Sequence, residues 1–141
     1  MALGAFGLTT NSGASDKAIT GAGTFTCDPI TGLAAMLAAA VQIRFEYGSG
    51  GTSVKVYLQT SFDGGNTWVD IACRAFTTAS ETRILNLSAL TPKTTAIQPT
   101  DGTLTDDTTV DGVLGDRLRI KGVSVGTYAG QTVLSARVVA R

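Results

Sequence analysis

The sequence predicts an all-β chain folded as one antiparallel β-sandwich, of jelly-roll or Ig-like type. Three observations carry this. About seven short runs have strand character, and the clearest of them alternate apolar and polar residues. Glycine-rich turns separate many of these runs. The chain has 141 residues, the size of one ordinary domain, and can bury a real core.

Taken in order, residues 1–16 are mostly Gly, Ala, Ser and Thr and read as an N-terminal arm; residues 17–141 read as the single sandwich domain. KAITGAGTFT, 17–26, is a first strand interrupted by glycines. Asp28-Pro29 has the form of a helix N-cap followed by Pro at the first helical position. It predicts one short helix near 29–39, with a loop leading straight into a strand as the alternative. AVQIRFEY, 40–47, places Val41, Ile43, Phe45 and Tyr47 on one face and Gln42, Arg44 and Glu46 on the other. SVKVYLQT alternates likewise, so GSGG between the two runs predicts a hairpin. SFDGGNTW turns the chain again into WVDIACRAF, the third strand of a meander, and a further strand is expected at about 82–88. Residues 91–112, rich in Thr and Asp, read as a long loop, and loops of that length are usually functional or disordered. GDRLRIKGVSVG and QTVLSARVVAR are expected to close the fold as a hairpin across GTYAG.

Composition excludes several classes of function. Lys+Arg and Asp+Glu both number 11, and charged residues make up only 16% of the chain. A neutral, sparsely charged surface is poorly suited to nucleic acid and well suited to association with other subunits. The chain has no His, which removes the commonest general base and metal ligand. The apolar run GLAAMLAAAV is too short to span a bilayer, and MALGAFGLTT has no basic start, so no membrane or export segment is expected and synthesis is placed in the cytoplasm. Cys27 and Cys73 are too few for a zinc cluster. They fit one disulfide or two buried thiols, the latter preferred in a chain without a signal peptide.

SFDGGNTW, 61–68, has an acid, two glycines and the only Trp. It resembles the Asp-box, a small hairpin motif of sialidases and many unrelated β proteins that is structural in those families. Ser61, Asp63, Gly65, Thr67 and Trp68 match its pattern. Asp63 is expected to accept backbone hydrogen bonds across the turn and Trp68 to cover it. Asp63, Asp70 and Glu46 are the candidates for an acid pair, and carboxylates on an exposed sheet face are expected to be simply solvated. Asp101, Asp106, Asp107 and Asp111 share one loop without the spacing of a calcium-binding EF-hand, and the Asp-Gly pairs at 101–102 and 111–112 read as turns. No serine or cysteine has an evident activating partner, and GSGG lacks the Lys and helix of a phosphate loop. No catalytic residue, cofactor or metal is therefore expected. Tyr57, Trp68 and Tyr128 would make a glycan-stacking platform only if they converged on one face.

The runs YLQTSFDGGNTWVDIACRAF, LNLSALTP, PTDGTLTDDTTVDGVLGDRLRIK and TYAGQTVLSARVVAR resemble a group of small phage and prophage virion proteins, over roughly residues 50–141. The resemblance implies a non-enzymatic virion component: a head decoration or cement protein, or alternatively a head–tail connector, collar or fibre subunit. A carbohydrate-binding sandwich module is the reading from another class. The virion reading expects a homo-oligomer, a trimer or ring, touching other virion proteins such as the major capsid protein. The contact segments would be 1–16 and 91–112, with Leu3, Phe6, Leu8, Ile97, Leu104 and Val110 as interface candidates. Deleting residues 2–12 would then leave the isolated fold intact.

Overall fold

The computed structural model describes residues 4–9 and 16–141. The described residues form an all-β structure without a helix, in which every strand pairing is antiparallel. In chain order the strands are β1 (Gly4–Gly7), β2 (Lys17–Ala18), β3 (Gly23–Thr26), β4 (Ala38–Glu46), β5 (Ser49–Gly50), β6 (Ser53–Ser61), β7 (Val69–Phe76), β8 (Glu81–Ser88), β9 (Arg117–Val125), β10 (Tyr128–Ala129) and β11 (Val133–Ala140). Sheet I runs β1-β11-β4-β8, with β2 also on β11; sheet II runs β3-β9-β6-β7.

The period-2 patterns build the core. β4 buries Val41, Ile43 and Phe45 while Gln42, Arg44 and Glu46 stay exposed. Leu134, Ala136 and Val138 of β11 and Leu85 and Leu87 of β8 face the same way. From sheet II, Val54, Val56, Leu58, Leu118, Ile120 and Phe76 meet them. Phe45 and Phe76 stack across the two sheets at 5.2 Å, and Tyr128 stands edge-on to Phe45 at 5.9 Å.

Four expectations are corrected. First, no helix forms at 29–39. Ile30 and Leu33 instead donate their N–H groups to Leu118 and Asp116, and a turn at 34–35 leads into β4. Pairing with the start of β9 overrides the helix propensity of the alanine run. Second, 17–26 is not one strand: β2 belongs to sheet I and β3 to sheet II, with a bend at 21–22 between them. Third, neither the GSGG turn nor the GTYAG turn closes a hairpin. β4 and β6 lie in different sheets, as do β9 and β11. Each glycine-rich link instead carries the chain from one sheet to the other, and the two links pair as β5 with β10. Alternation reveals which face of a strand is buried, but not which sheet the strand joins. Of the expected hairpins only β6–β7 forms, with a register shift between Leu58 and Gln59.

The fourth correction concerns the arm. Gly4–Gly7 pair with Arg137–Ala140, Leu8 donates its N–H to Ala136, and Leu8 is wholly buried in the core. The described part of the arm is thus a strand of sheet I. Its removal would open the core, against the expectation that the isolated fold survives deletion of residues 2–12.

Candidate functional site

The 61–68 turn closes the β6–β7 hairpin as a hydrogen-bonded knot. Asp63 Oδ1 accepts from Ser61 Oγ at 2.9 Å and from the Thr67 N–H at 2.8 Å, and Oδ2 accepts from Thr67 Oγ1 at 2.6 Å. The Gly65 N–H donates to Ser61 Oγ at 2.9 Å, in a left-handed conformation with φ of 91° that glycine adopts without strain. Trp68 Nε1 donates to the Gly65 carbonyl, so the indole covers the turn. Ser61, Asp63, Gly65, Thr67 and Trp68 thus all take part in the hydrogen bonds of the turn, with Trp68 just ahead of β7.

The Thr67 hydroxyl, then the Thr67 N–H, hold the Asp63 carboxyl down to about 2. Its folded value lies below the unfolded 3.8, so its stabilising effect is complete above that value and is lost as pH falls toward 2. Asp63→Ala is expected to lower the thermal midpoint at neutral pH without unfolding the protein. Scanning calorimetry across the acid range should show the gap to wild type closing between about pH 4 and pH 2.

The 91–112 loop has no regular strand but is fixed along its length. Asp70 of β7, 2% exposed, is its anchor. Asp70 Oδ2 accepts from Thr100 Oγ1 and from the N–H groups of Gly102, Thr103 and Leu104, at 2.7 to 3.3 Å. Its Oδ1 accepts from Gln59 Nε2 at 2.8 Å. Gln59 extends the network to Asp101 and to Arg119, whose guanidinium lies 4.1 Å from the centre of the Trp68 ring. Burial lowers the Arg119 pKa against the opposing pull of Asp101 and Asp70. Lys121, ahead of Gln59, lowers the pKa of Asp101. The expectation that Asp70 is a solvated surface acid is therefore overturned: the loop folds over it and all its contacts are donors. Glu46 is exposed on β4 and ion-paired to Arg44, so the three acids considered as a pair occupy separate environments.

Further along, Thr109 bridges Ala72 on the edge of β7, and the Cys73 and Val110 N–H groups donate to Thr108 and Ile71. Asp107 then reaches Arg83, and Asp111 accepts from the Ser88 N–H and from Thr91. The loop thus spans from the edge of sheet II to β8 of sheet I and closes one side of the sandwich. The four aspartates take separate partners: Lys121 for Asp101, Lys55 for Asp106, Arg83 for Asp107, and Ser88 with Thr91 for Asp111. No group of three or more metal-binding side chains occurs among the described residues.

Cys27 and Cys73 are both buried free thiols, not a disulfide. Burial, reinforced by Asp106, pushes Cys73 up to about 11, and burial also raises Cys27. Tyr57 and Tyr128 are buried as well, and the Trp68 N–H is committed to the turn, so the three aromatics form no exposed platform.

Of the six interface candidates, Leu8 is core, and Phe6, Leu104 and Val110 are half-buried. Ile97 is exposed, and Leu3 lies outside the described residues. Sequence reasoning missed the outer face of sheet I. There Val139 of β11 lies between Ala5 of β1 and Ala40 of β4, and Ile84 of β8 lies beside Gln42, itself next to Arg137. These residues line a shallow, mostly apolar groove, and Ile84 is 74% exposed at its border. The signal was present in ETRILNLS, where Ile84 falls in phase with Thr82 and Asn86 rather than with Leu85 and Leu87. Phe62 at the tip of the Asp63 turn and Leu90 after β8 are exposed as well.

No helix among the described residues is long and apolar enough to cross a membrane. No family model, curated protein or solved structure matches the chain.

Proposed function

We propose that the chain is a non-enzymatic structural protein of a bacteriophage virion that decorates or cements the capsid as an oligomer. The observation that carries this reading is the groove on sheet I. Small side chains at Ala5, Gly7 and Ala40 leave a flat apolar floor, and Val139 and Ile84 rise from it. A surface of this kind favours contact with another protein surface. The other prominent polar features, the Asp63 turn and the Asp70 network, spend their hydrogen bonds on holding the scaffold. The pattern likeness to phage virion proteins over residues 50–141 supplies the partner class.

Particles purified from the source culture are expected to contain the chain in many copies by mass spectrometry. Ile84→Arg should weaken binding to particles that lack the protein by about tenfold or more, the scale of one lost apolar contact plus a buried charge. Its circular dichroism should not change, because Ile84 packs nothing in the core. Absence of the chain from purified particles would overturn the proposal.

A further inference from the structure

The edges of the two sheets are treated unequally. The edge of β7 is covered by residues 108–110 of the loop. The edge of β8 carries Glu81 and Arg83, and its Ser88 N–H is taken by Asp111. Such covers and charges are how proteins prevent edge-to-edge pairing. β3, the other edge of sheet II, is uncovered, and the charge beside it comes from β2, where Lys17 Nζ lies 5.1 Å from the centre of the Phe25 ring. Its four residues, Gly23, Thr24, Phe25 and Thr26, are uncharged, and among the described residues no backbone hydrogen bond reaches its outer side.

The register of β3 on β9 shows which groups are left over. The Cys27 N–H donates to Ile120, and Phe25 and Gly23 lie opposite Gly122 and Ser124 in the same phase. Thr24 and Thr26 therefore point their N–H and C=O groups away from β9. The Phe25 ring lies over Gly122, where a Cβ would come within 2.1 Å of it, so it leans toward β9 rather than over the free edge.

We infer that β3 pairs antiparallel with β3 of a second copy about a two-fold axis through Phe25, joining the two four-stranded sheets into one. The choice of a second copy rests on self-complementarity. In this register Thr24 of one copy faces Thr26 of the other, and their leftover groups exchange both bonds, twice over. The two Phe25 residues stand opposite each other as a non-hydrogen-bonded pair on the same sheet face, each ring turned back over its own Gly122 and so clear of the joined edge. Zero net charge leaves no long-range repulsion between copies. The contact adds to the assembly reading without depending on the virion, because the isolated protein tests it.

In sedimentation equilibrium the purified chain is expected to show twice its monomer mass and to dissociate on dilution. Thr24→Pro deletes an outward N–H and no bond to β9, and should shift the protein to monomer with its circular dichroism retained. Thr26→Lys, which charges the same edge, should do the same should the proline variant not fold. Phe25→Cys should yield a disulfide-linked dimer on mild oxidation, with peptide mapping placing the bond between the two copies of position 25. A wild-type monomer at high concentration, or a dimer that survives the edge substitutions, overturns the inference. Either result leaves association with particles to be judged separately.

Discussion

Replacing Asp70 by Ala is expected to destabilise the protein by about 3–5 kcal/mol, the cost of breaking a buried charged network rather than a surface contact. The carboxylate is 2% exposed and accepts from Gln59, Thr100, Gly102, Thr103 and Leu104. Hydrogen bonds to a charged group are worth about 1.5–3 kcal/mol each in isolation, and they share one anchor, so they do not simply add. Asp70→Asn is expected to fail as well. All five partners are donors, and the new amide turns a donor toward either Gln59 or the loop. Urea denaturation measures the loss. Hydrogen exchange locates it: the amides of Gly102, Thr103 and Leu104 should exchange far faster, by local opening, than those of β4 and β11. A loss below about 1 kcal/mol for both variants would mean that the loop is held elsewhere.

The reach of the sequence ends at a definite point. Alternation identified the buried faces of β4 and β6, because a strand half in a core must bury every second residue. The part of Asp63 as acceptor and of Trp68 as cover could be read from SFDGGNTW because these bonds lie within eight residues, whereas the Ser61 and Thr67 hydroxyl bonds to Asp63 were not read. Asp70 was not legible. Four of its five partners lie 30 or more residues away in a loop without periodicity, and nothing local distinguishes it from a solvated strand acid. The same limit explains the GSGG and GTYAG links, whose glycines announce a turn but not whether it stays within one sheet. Leu8 was misassigned for a related reason. Phe6 and Leu8 among Gly, Ala and Thr make too short a run to set a period, and the burial of Leu8 is set by β11, which lies at the opposite end of the chain.

Leu8→Ala is the sharpest test of that N-terminal strand, with an expected loss of about 2–5 kcal/mol, the range for truncating a fully buried Leu. Total stabilities of single domains are about 5–15 kcal/mol, so one substitution in a Gly- and Ala-rich segment would remove a large share. A mobile arm would give the opposite result, since truncating an exposed side chain changes stability by less than about 0.5 kcal/mol. Removing residues 4–9 should cost more than Leu8→Ala. It deletes Leu8, uncovers Ala136 and Val138 at the margin of the core, and strips the backbone partners from Arg137–Ala140. β11 would then present Arg137–Ala140 as an unpaired edge with Val138 and Val139 in succession, a template for aggregation. The truncated chain is therefore expected in the insoluble fraction, or in solution with a lower denaturation midpoint and raised binding of a hydrophobic dye. An unchanged midpoint for both variants would return residues 4–9 to the role of a detachable arm, and with it the idea that this segment acts on a neighbouring subunit rather than within its own sheet.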